Sequence, residues 1–412
     1  MSKGKDSQAV DTRSFLDTLK ESNELVHKEI PELGKQAQVV SKIIKSKAIL
    51  DFNPSLNTSS YVQVQFEEEE LEVIKEALSI NLADQTIYPH AYQIHNEVVN
   101  MIASLWNCPE SEEVKSTGVH AGAGTVGSTE ACLLAGLALK FRWRNWYAKK
   151  HHLTHEQVLG IKPNLIISTC FQAAWEKFFR YFDIEPRMAP TSVNTFKLDP
   201  NTLEEYIDDQ TIGVVCIMGN HYAGQFDPID KVNNILNRIN KEKGYQVAIH
   251  VDAASGGFIA PFIKETPAWD FRLNNVLSIS SSGHKYGEAC AGTGWVVWRE
   301  KKDLSEHICV DVSYLGGHGD SYTLNFSRPA SGAFSQYYKL LRFGRAGYKA
   351  ACINALENAG ILRKALLEMT YLGKPRFQLL DDADNPCLPV VAMRLNPDCN
   401  FHFNDIDLQN VL

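Results

Sequence analysis

Lys285 lies in the run Ser280-Ser281-Ser282-Gly283-His284-Lys285-Tyr286-Gly287, directly behind the apolar stretch Val276-Leu277-Ser278-Ile279. A lysine at the end of a buried strand is placed to be desolvated, which lowers its pKa and makes the amine nucleophilic. By itself a His-Lys pair says little, since most lysines are surface solubilisers. Upstream, Val247-Ala248-Ile249-His250-Val251 runs into Asp252-Ala253-Ala254-Ser255-Gly256-Gly257. Here a carboxylate leaves a buried strand beside residues small enough to admit a flat ligand over Ala254, although Asp252 alone fits a turn cap equally well. Further upstream, Gly124-Thr125-Val126-Gly127-Ser128-Thr129-Glu130 opens a helix-like stretch. Its glycines allow close approach of an anion, and Ser128 and Thr129 bring hydroxyls to a positive helix N-terminus. Taken singly this is a turn and an N-cap, and it matches neither of the two nucleotide phosphate-loop patterns. Together the three segments supply what pyridoxal 5'-phosphate requires: a lysine for the aldehyde, a carboxylate for the pyridine nitrogen and a phosphate cradle. Lys285 would exchange the cofactor for a substrate amine. Asp252 would keep the ring cationic, so that it withdraws the electrons left when a bond at Cα breaks.

The elements around these segments must bring them to one place. Between about 110 and 300, short β-rich runs alternate with helix-like stretches. The runs are Leu165–Ser168, Ile212–Ile217, Val247–Val251, Val276–Ser280 and Gly294–Trp298. Nearly continuous apolar strands separated by helices predict an α/β fold whose mostly parallel sheet is covered on both faces, with ligands at the carboxyl ends of the strands. Gly118 to Gly127 reads as a loop. Residues 1–50 read as a helical arm carried by Phe15, Leu16, Leu19, Leu25, Val26 and Ile30, and Glu67 to Glu70 as a solvated first helical turn. Towards the end, a helix from Lys349 to Leu367 precedes a strand at Pro389–Leu395, and Asn404 caps a last short helix. One strand and one begun helix do not close a layer, so the C-terminal domain is expected to be incomplete.

The 412 residues carry 41 basic and 49 acidic side chains, a net charge of −8 that disfavours nucleic-acid and membrane-surface partners. Nine scattered cysteines without any Cys-x-x-Cys suit neither a disulfide framework nor a structural metal site, and no metal is expected. The polar N-terminus lacks a signal-peptide core and no apolar stretch is long enough for a bilayer, which together point to a reducing, cytoplasmic location.

His250–Phe262, Trp269-Asp270-Phe271-Arg272 and Ser282–Gly287 closely resemble the glutamate decarboxylases, within the group II pyridoxal-phosphate-dependent decarboxylase family. Gly127–Cys132, Trp175–Phe182, Tyr314-Leu315-Gly316-Gly317 and Asn325-Phe326-Ser327-Arg328-Pro329 extend the match, which runs from about residue 50 to about 350. The resemblance implies fold type I of the pyridoxal-phosphate enzymes: a large domain with a mostly parallel seven-stranded sheet and a small C-terminal α+β domain. The expected divisions are an arm at 1–55, the large domain at 56–345 and a partial small domain at 346–412.

The same resemblance implies residue roles. Lys285, Asp252 and His284 form the catalytic set. Ser128, Thr129, Ser282 and His284 bind the phosphate, while Gln172, Ala254 and His221 lie against the cofactor. Phe326 and Ser327 reach the phosphate site of a neighbouring subunit, so a homodimer or higher homo-oligomer is implied. Ser60, Tyr61 and Asp84 fall where the substrate pocket is shaped. The implied reaction converts L-glutamate to 4-aminobutyrate and carbon dioxide, with Tyr286, His284 and a loop residue all open as the source of the Cα proton. His221 stands where bacterial members usually have threonine, Ile87 where they often have glutamate, and Glu288 where an apolar residue is usual. These departures leave aspartate, cysteine sulfinate or an aromatic amino acid as alternative substrates. In the family an arginine for the substrate α-carboxylate comes from a segment that would lie beyond Leu412. A fragment or shortened isoform, or an inactive partner subunit, is therefore the other expectation.

Overall fold

The computed structural model describes residues 29–49, 51, 64–191, 195–311, 320–382 and 384–411. The chain forms two compact units, Met1–Ser59 and Ser60–Leu412. In the first, helix α1 (Ala37–Ala48) buries none of its side chains. The helical pattern expected on Phe15 through Val26 lies outside the described residues, and Ile30 is exposed ahead of Pro31.

The second unit is built on a seven-stranded sheet: β1 (Gly122–Val126), β2 (Asn164–Ser168), β3 (Glu185–Ala189), β4 (Thr211–Ile217), β5 (Ala248–Asp252), β6 (Val276–Ser282) and β7 (Thr293–Trp298). The order is β1-β7-β6-β5-β4-β2-β3. Strands β3, β2, β4, β5 and β6 run parallel, and β7 runs against both β6 and β1. The sheet is mostly parallel, as expected. Val214 and Cys216 of β4 enter one core with Val98, Ile102 and Trp106, whereas Val215 and Ile217 enter the other with Trp143, Trp175 and Phe178. That alternation is why the strand reads as a continuous apolar run.

Helices α2 (Glu68–Ala77), α3 (Pro89–Leu105), α4 (Gly127–His151), α5 (Ala173–Tyr181), α6 (Ile229–Lys243), α7 (Ser331–Glu368) and α8 (Asp405–Gln409) complete the main elements. The acidic start of α2 corrects one expectation. Glu68 and Glu69 are exposed, but Glu70 is fully buried against Lys339 of α7, with Nζ 2.9 Å from Oε2. Ser335 donates a 2.8 Å hydrogen bond to the same carboxylate.

Two strands depart from the sequence reading. Gly122–Val126 is strand β1, not a loop. A Cβ at Gly122 would fall 2.5 Å from Val99, and one at Gly124 3.0 Å from the Trp295 ring, so these glycines serve close packing rather than a turn. The polar sequence of β3, Glu-Pro-Arg-Met-Ala, belongs to an edge strand, where Pro186 costs no ladder bond.

The long helix α7 is broken at Gly344, which has φ 58° and ψ −176°. Beyond it, Cys352 and Leu388 pack with Ile259. Of the expected strand at Pro389–Leu395 only Met393–Leu395 pairs, with Phe377–Leu379. Asn404 caps α8 as expected, its side chain accepting from Ile406 N and Asp407 N. Among the described residues no helix is long and apolar enough to cross a membrane.

Candidate active site

Adjacent parallel strands carry the two central groups. Asp252 is the last residue of β5, and Lys285 follows β6 in the hairpin that leads back into β7. Both are buried, at 7% and 5% exposure. Lys285 Nζ donates to Ser255 Oγ at 3.3 Å. Burial holds the lysine below its ordinary pKa, opposed by the negative charge of Asp252. Desolvation is thus what favours a nucleophilic amine here, and the carboxylate of Asp252 limits how far it goes.

Asp252 is held from two directions. Ala254 N donates to Oδ1 at 3.1 Å, and the indole Nε1 of Trp175 donates to Oδ2 at 2.8 Å. Beneath it, His250 bridges Ser278 Oγ at 2.8 Å and Ser280 Oγ at 3.1 Å. Burial pulls His250 down to about 4, so the ring is neutral at physiological pH. Cys132 Sγ lies 3.4 Å from Ser280 Oγ, and burial and then the charge of Asp252 raise this thiol well above its usual pKa.

The glycine-led helix start lies beside the lysine hairpin. Gly127 opens α4 with φ 74°, Val126 gives that helix no side-chain cap, and Ser128 and Thr129 are half-buried in the first turn. The positive φ explains Gly127, whose Cβ would make only an ordinary 3.7 Å contact with the His284 ring, and a Cβ at Gly294 would collide with Gly127, which explains the second glycine. His284 Nδ1 donates to Thr293 O at 2.7 Å, leaving Nε2 as the other ring nitrogen, and burial lowers its pKa. Ser282 Oγ is buried without a hydrogen-bond partner among the described residues. A cavity of about 160 Å³ opens alongside, lined by Thr125, Val126, Thr293, Gly294 and Arg328 among others.

Gln172 is the N-cap residue of α5, and Ala254 is the buried residue whose carbonyl receives Ser282 N at 3.1 Å. His221 lies tilted against Tyr222, with ring centroids 4.1 Å apart, and feels the charges of both Lys285 and Asp252, which ties it to the same site. Its Nδ1 is buried and unpartnered among the described residues, and burial, then Lys285, push its pKa down. Phe326 and Ser327 are exposed; the preceding Asn325 N donates to Glu130 Oε1 at 2.8 Å, and Val126 N donates to Glu130 Oε2 at 2.7 Å. This buried carboxylate thus joins the Asn325–Ser327 segment to the turn before α4. Asp84 accepts from Thr86 N and Ile87 N ahead of α3. Ser60 and Tyr61 lie outside the described residues. Tyr286 packs near Ile259, Cys352 and Leu388, and burial pushes its hydroxyl up to about 12.

Residues 70–395 match the pyridoxal-dependent decarboxylase conserved domain. The chain belongs to the pyridoxal-dependent decarboxylase family. A glutamate decarboxylase of Lactococcus lactis is 40% identical over 377 residues, covering 92% of this chain and 77% of that protein. Glutamate decarboxylase 2 of Arabidopsis thaliana is 40% identical over 384 residues, covering 93% and 74%. The solved glutamate decarboxylase of Lactobacillus brevis superposes with a TM-score of 0.87 at 36% identity, covering 97% of this chain and 86% of that one. A Catharanthus roseus tryptophan decarboxylase, at 17% identity and a TM-score of 0.75, shares the fold.

This decarboxylase is thus a pyridoxal-phosphate-dependent carboxy-lyase, and its residues fit that cofactor. The fit rests on the donor chemistry. A desolvated amine stands near an acid that receives two neutral donors, while a half-buried helix N-terminus and the orphaned Ser282 hydroxyl supply anion partners. In this decarboxylase the sequence reading missed Trp175, Ser255 and Glu130 as site residues. Trp175 lies three positions after Gln172 on the same helix start, and Ser255 three after Asp252, spacings that place each beside a recognised residue. Nothing in the local sequence of Glu130 distinguishes a buried tie from an ordinary first-turn acid.

Proposed function

We propose that this carboxy-lyase removes the α-carboxylate of L-glutamate to give 4-aminobutyrate and carbon dioxide. The observation that carries the reading is about 40% identity to glutamate decarboxylases over 92% of the chain; the nucleophilic environment of Lys285 beside Asp252 agrees with it. Bound pyridoxal phosphate supplies an electron sink for the pair released at Cα. Lys285, whose burial lowers its pKa, would be the residue that holds the cofactor through its aldehyde. Asp252 would face the ring nitrogen and favour its protonated form. Ser128, Thr129, Ser282 and His284 bind the phosphate, and Gln172, Ala254 and His221 confine the ring. Ser60, Tyr61 and Asp84 shape the pocket for the substrate side chain.

The working form is a homodimer in which Phe326 and Ser327 reach the neighbouring phosphate site, and the location is cytoplasmic. Its parts are an arm at 1–55, a large domain at 56–345 and a small domain at 346–412, a division that falls beside the break at Gly344. His221 favours a second reading in which another amino acid is the substrate, because it brings a titratable ring close enough to feel Lys285 and Asp252.

The test is a spectrum of the purified protein with pyridoxal phosphate before and after borohydride, followed by a panel of amino acids assayed for carbon dioxide. A visible band, fixed on Lys285 by reduction, with release from glutamate is the expected result. Release from aspartate, cysteine sulfinate or an aromatic amino acid but not from glutamate would overturn the substrate.

A further inference from the structure

We propose that Trp175 is a positioning residue for Asp252, its indole N–H fixing the carboxylate so that the acid meets the ring nitrogen in one orientation. The inference rests on the cofactor role given to Asp252 above. Other buried tryptophans direct their N–H groups elsewhere: Trp106 to Gly257 O, Trp143 to Asp209 O and Trp295 to Gln336. Trp175 directs its N–H to a carboxylate, at 2.8 Å, from a side chain with no solvent exposure.

Three features make this contact a constraint and not an incidental one. Trp175 cannot rotate, because it is edge-on to Phe178 at 5.7 Å and tilted on His250 at 5.4 Å. Ala254 N on Oδ1 and Trp175 Nε1 on Oδ2 are neutral donors, and the thiol of Cys132, also neutral, lies against the same acid. A neutral donor fixes a carboxyl oxygen in place without setting a counter-charge against it. Finally, Gln172 is the N-cap of α5, and its carbonyl accepts a 2.9 Å hydrogen bond from Trp175 N. One helix start therefore carries the residue proposed to lie on the cofactor and the residue that aims its acid. A shift of that helix would disturb both together.

A phenylalanine at this position keeps most of the ring volume and loses only the donor. Trp175→Phe is expected to reduce kcat about 10-fold with KM changed less than threefold. Titration of the holoenzyme carrying ¹⁵N-labelled cofactor should show the ring nitrogen losing its proton at a lower pH than in the wild type, and cofactor affinity should fall severalfold. Because the truncation could unsettle the core, the second variant replaces Trp175 by 3-benzothienylalanine, a sulfur isostere that keeps the shape and lacks the N–H; the same shifts are expected. An unchanged nitrogen titration and a kcat within twofold in the isostere would overturn the proposal. Asp252→Asn separates this from the reading beneath it. If Asp252→Asn abolishes the protonated-nitrogen signal while the isostere does not alter it, Trp175 fails alone. If Asp252→Asn leaves the signal intact, the role given to Asp252 fails as well.

Discussion

Ser282 shows what a single side chain reveals when its partner is missing from the protein itself. Burying a hydroxyl without a hydrogen bond costs of order 1–3 kcal/mol, yet Ser282 Oγ is buried in this state among the described residues. A polar atom retained at such a cost points to a ligand. Ser282→Ala is therefore expected to leave the cofactor-free protein as stable or slightly more so, within about 0.5 kcal/mol, while weakening pyridoxal phosphate about 5-fold or more. Urea unfolding of the apoprotein and a cofactor titration check the two halves; a loss of apoprotein stability without loss of affinity would contradict the assignment. At this scale the sequence was informative where chemistry is unusual, as with Lys285 behind an apolar strand. It was silent on Trp175, because a tryptophan in an apolar helix pattern looks like core, which it also is.

Helix α2 is attached to α7 by a buried ion pair, Glu70–Lys339, and Ser335 donates to the other carboxylate oxygen, Oε1. Ser335 also receives Cys290 N at 2.9 Å, and the neighbouring Gln336 donates to Gly287 O at 2.8 Å. The segment that follows Lys285 is therefore clamped by the same helix turn that holds α2. Removing one member of a buried pair leaves the other charge unpaired, at a cost of about 3–5 kcal/mol. Glu70→Ala should lose about that much in urea unfolding. Glu70→Leu combined with Lys339→Met should recover most of it, and a double variant as unstable as the single one would rule out an unpaired charge as the cause. The four acidic residues at 67–70 conceal this pair in the sequence, because burial depends on a partner more than two hundred residues away. Strands β4 to β7 were legible from apolar runs alone. Strands β1 and β3 were not, since one uses glycine for close packing and the other tolerates proline at a sheet edge.

For the molecule as a whole, buried histidines set an acid limit. His95 and His250 are fully buried and pulled down to about 4, from 6.5 in the unfolded chain. Each depressed value means that the unfolded state binds the extra proton, so stability is constant above pH 6.5 and is lost as pH falls towards 4, by about 3 kcal/mol apiece. Asp227 acts in the opposite sense. Burial raises it to about 6, so the folded state takes up a proton between pH 6 and 3.8 and offsets roughly one of the histidines. From these three groups the expectation is a loss of about 3 kcal/mol between pH 6.5 and 4; His120, His221 and His284, also held low, add in the same sense, and Glu288 and Asp303, raised by burial, oppose it. Urea midpoints measured across that range check the sign; stability that rises on acidification would contradict it.

The reversed strand β7 has a kinetic consequence. The lysine hairpin joins β6 to its immediate neighbour, so Lys285 reaches its place through contacts that are short-range in the chain. The anion cradle at the start of α4 depends on β1, whose Val126 pairs with Thr293 of β7 only after most of the sheet's sequence has been made. Closing so distant a contact carries a large entropic barrier and is slow compared with forming a hairpin. A refolding chain is therefore expected to place the amine before the phosphate cradle. Cofactor capture during refolding is then expected to lag the β6–β7 pairing, and simultaneous onset of the two would contradict that order.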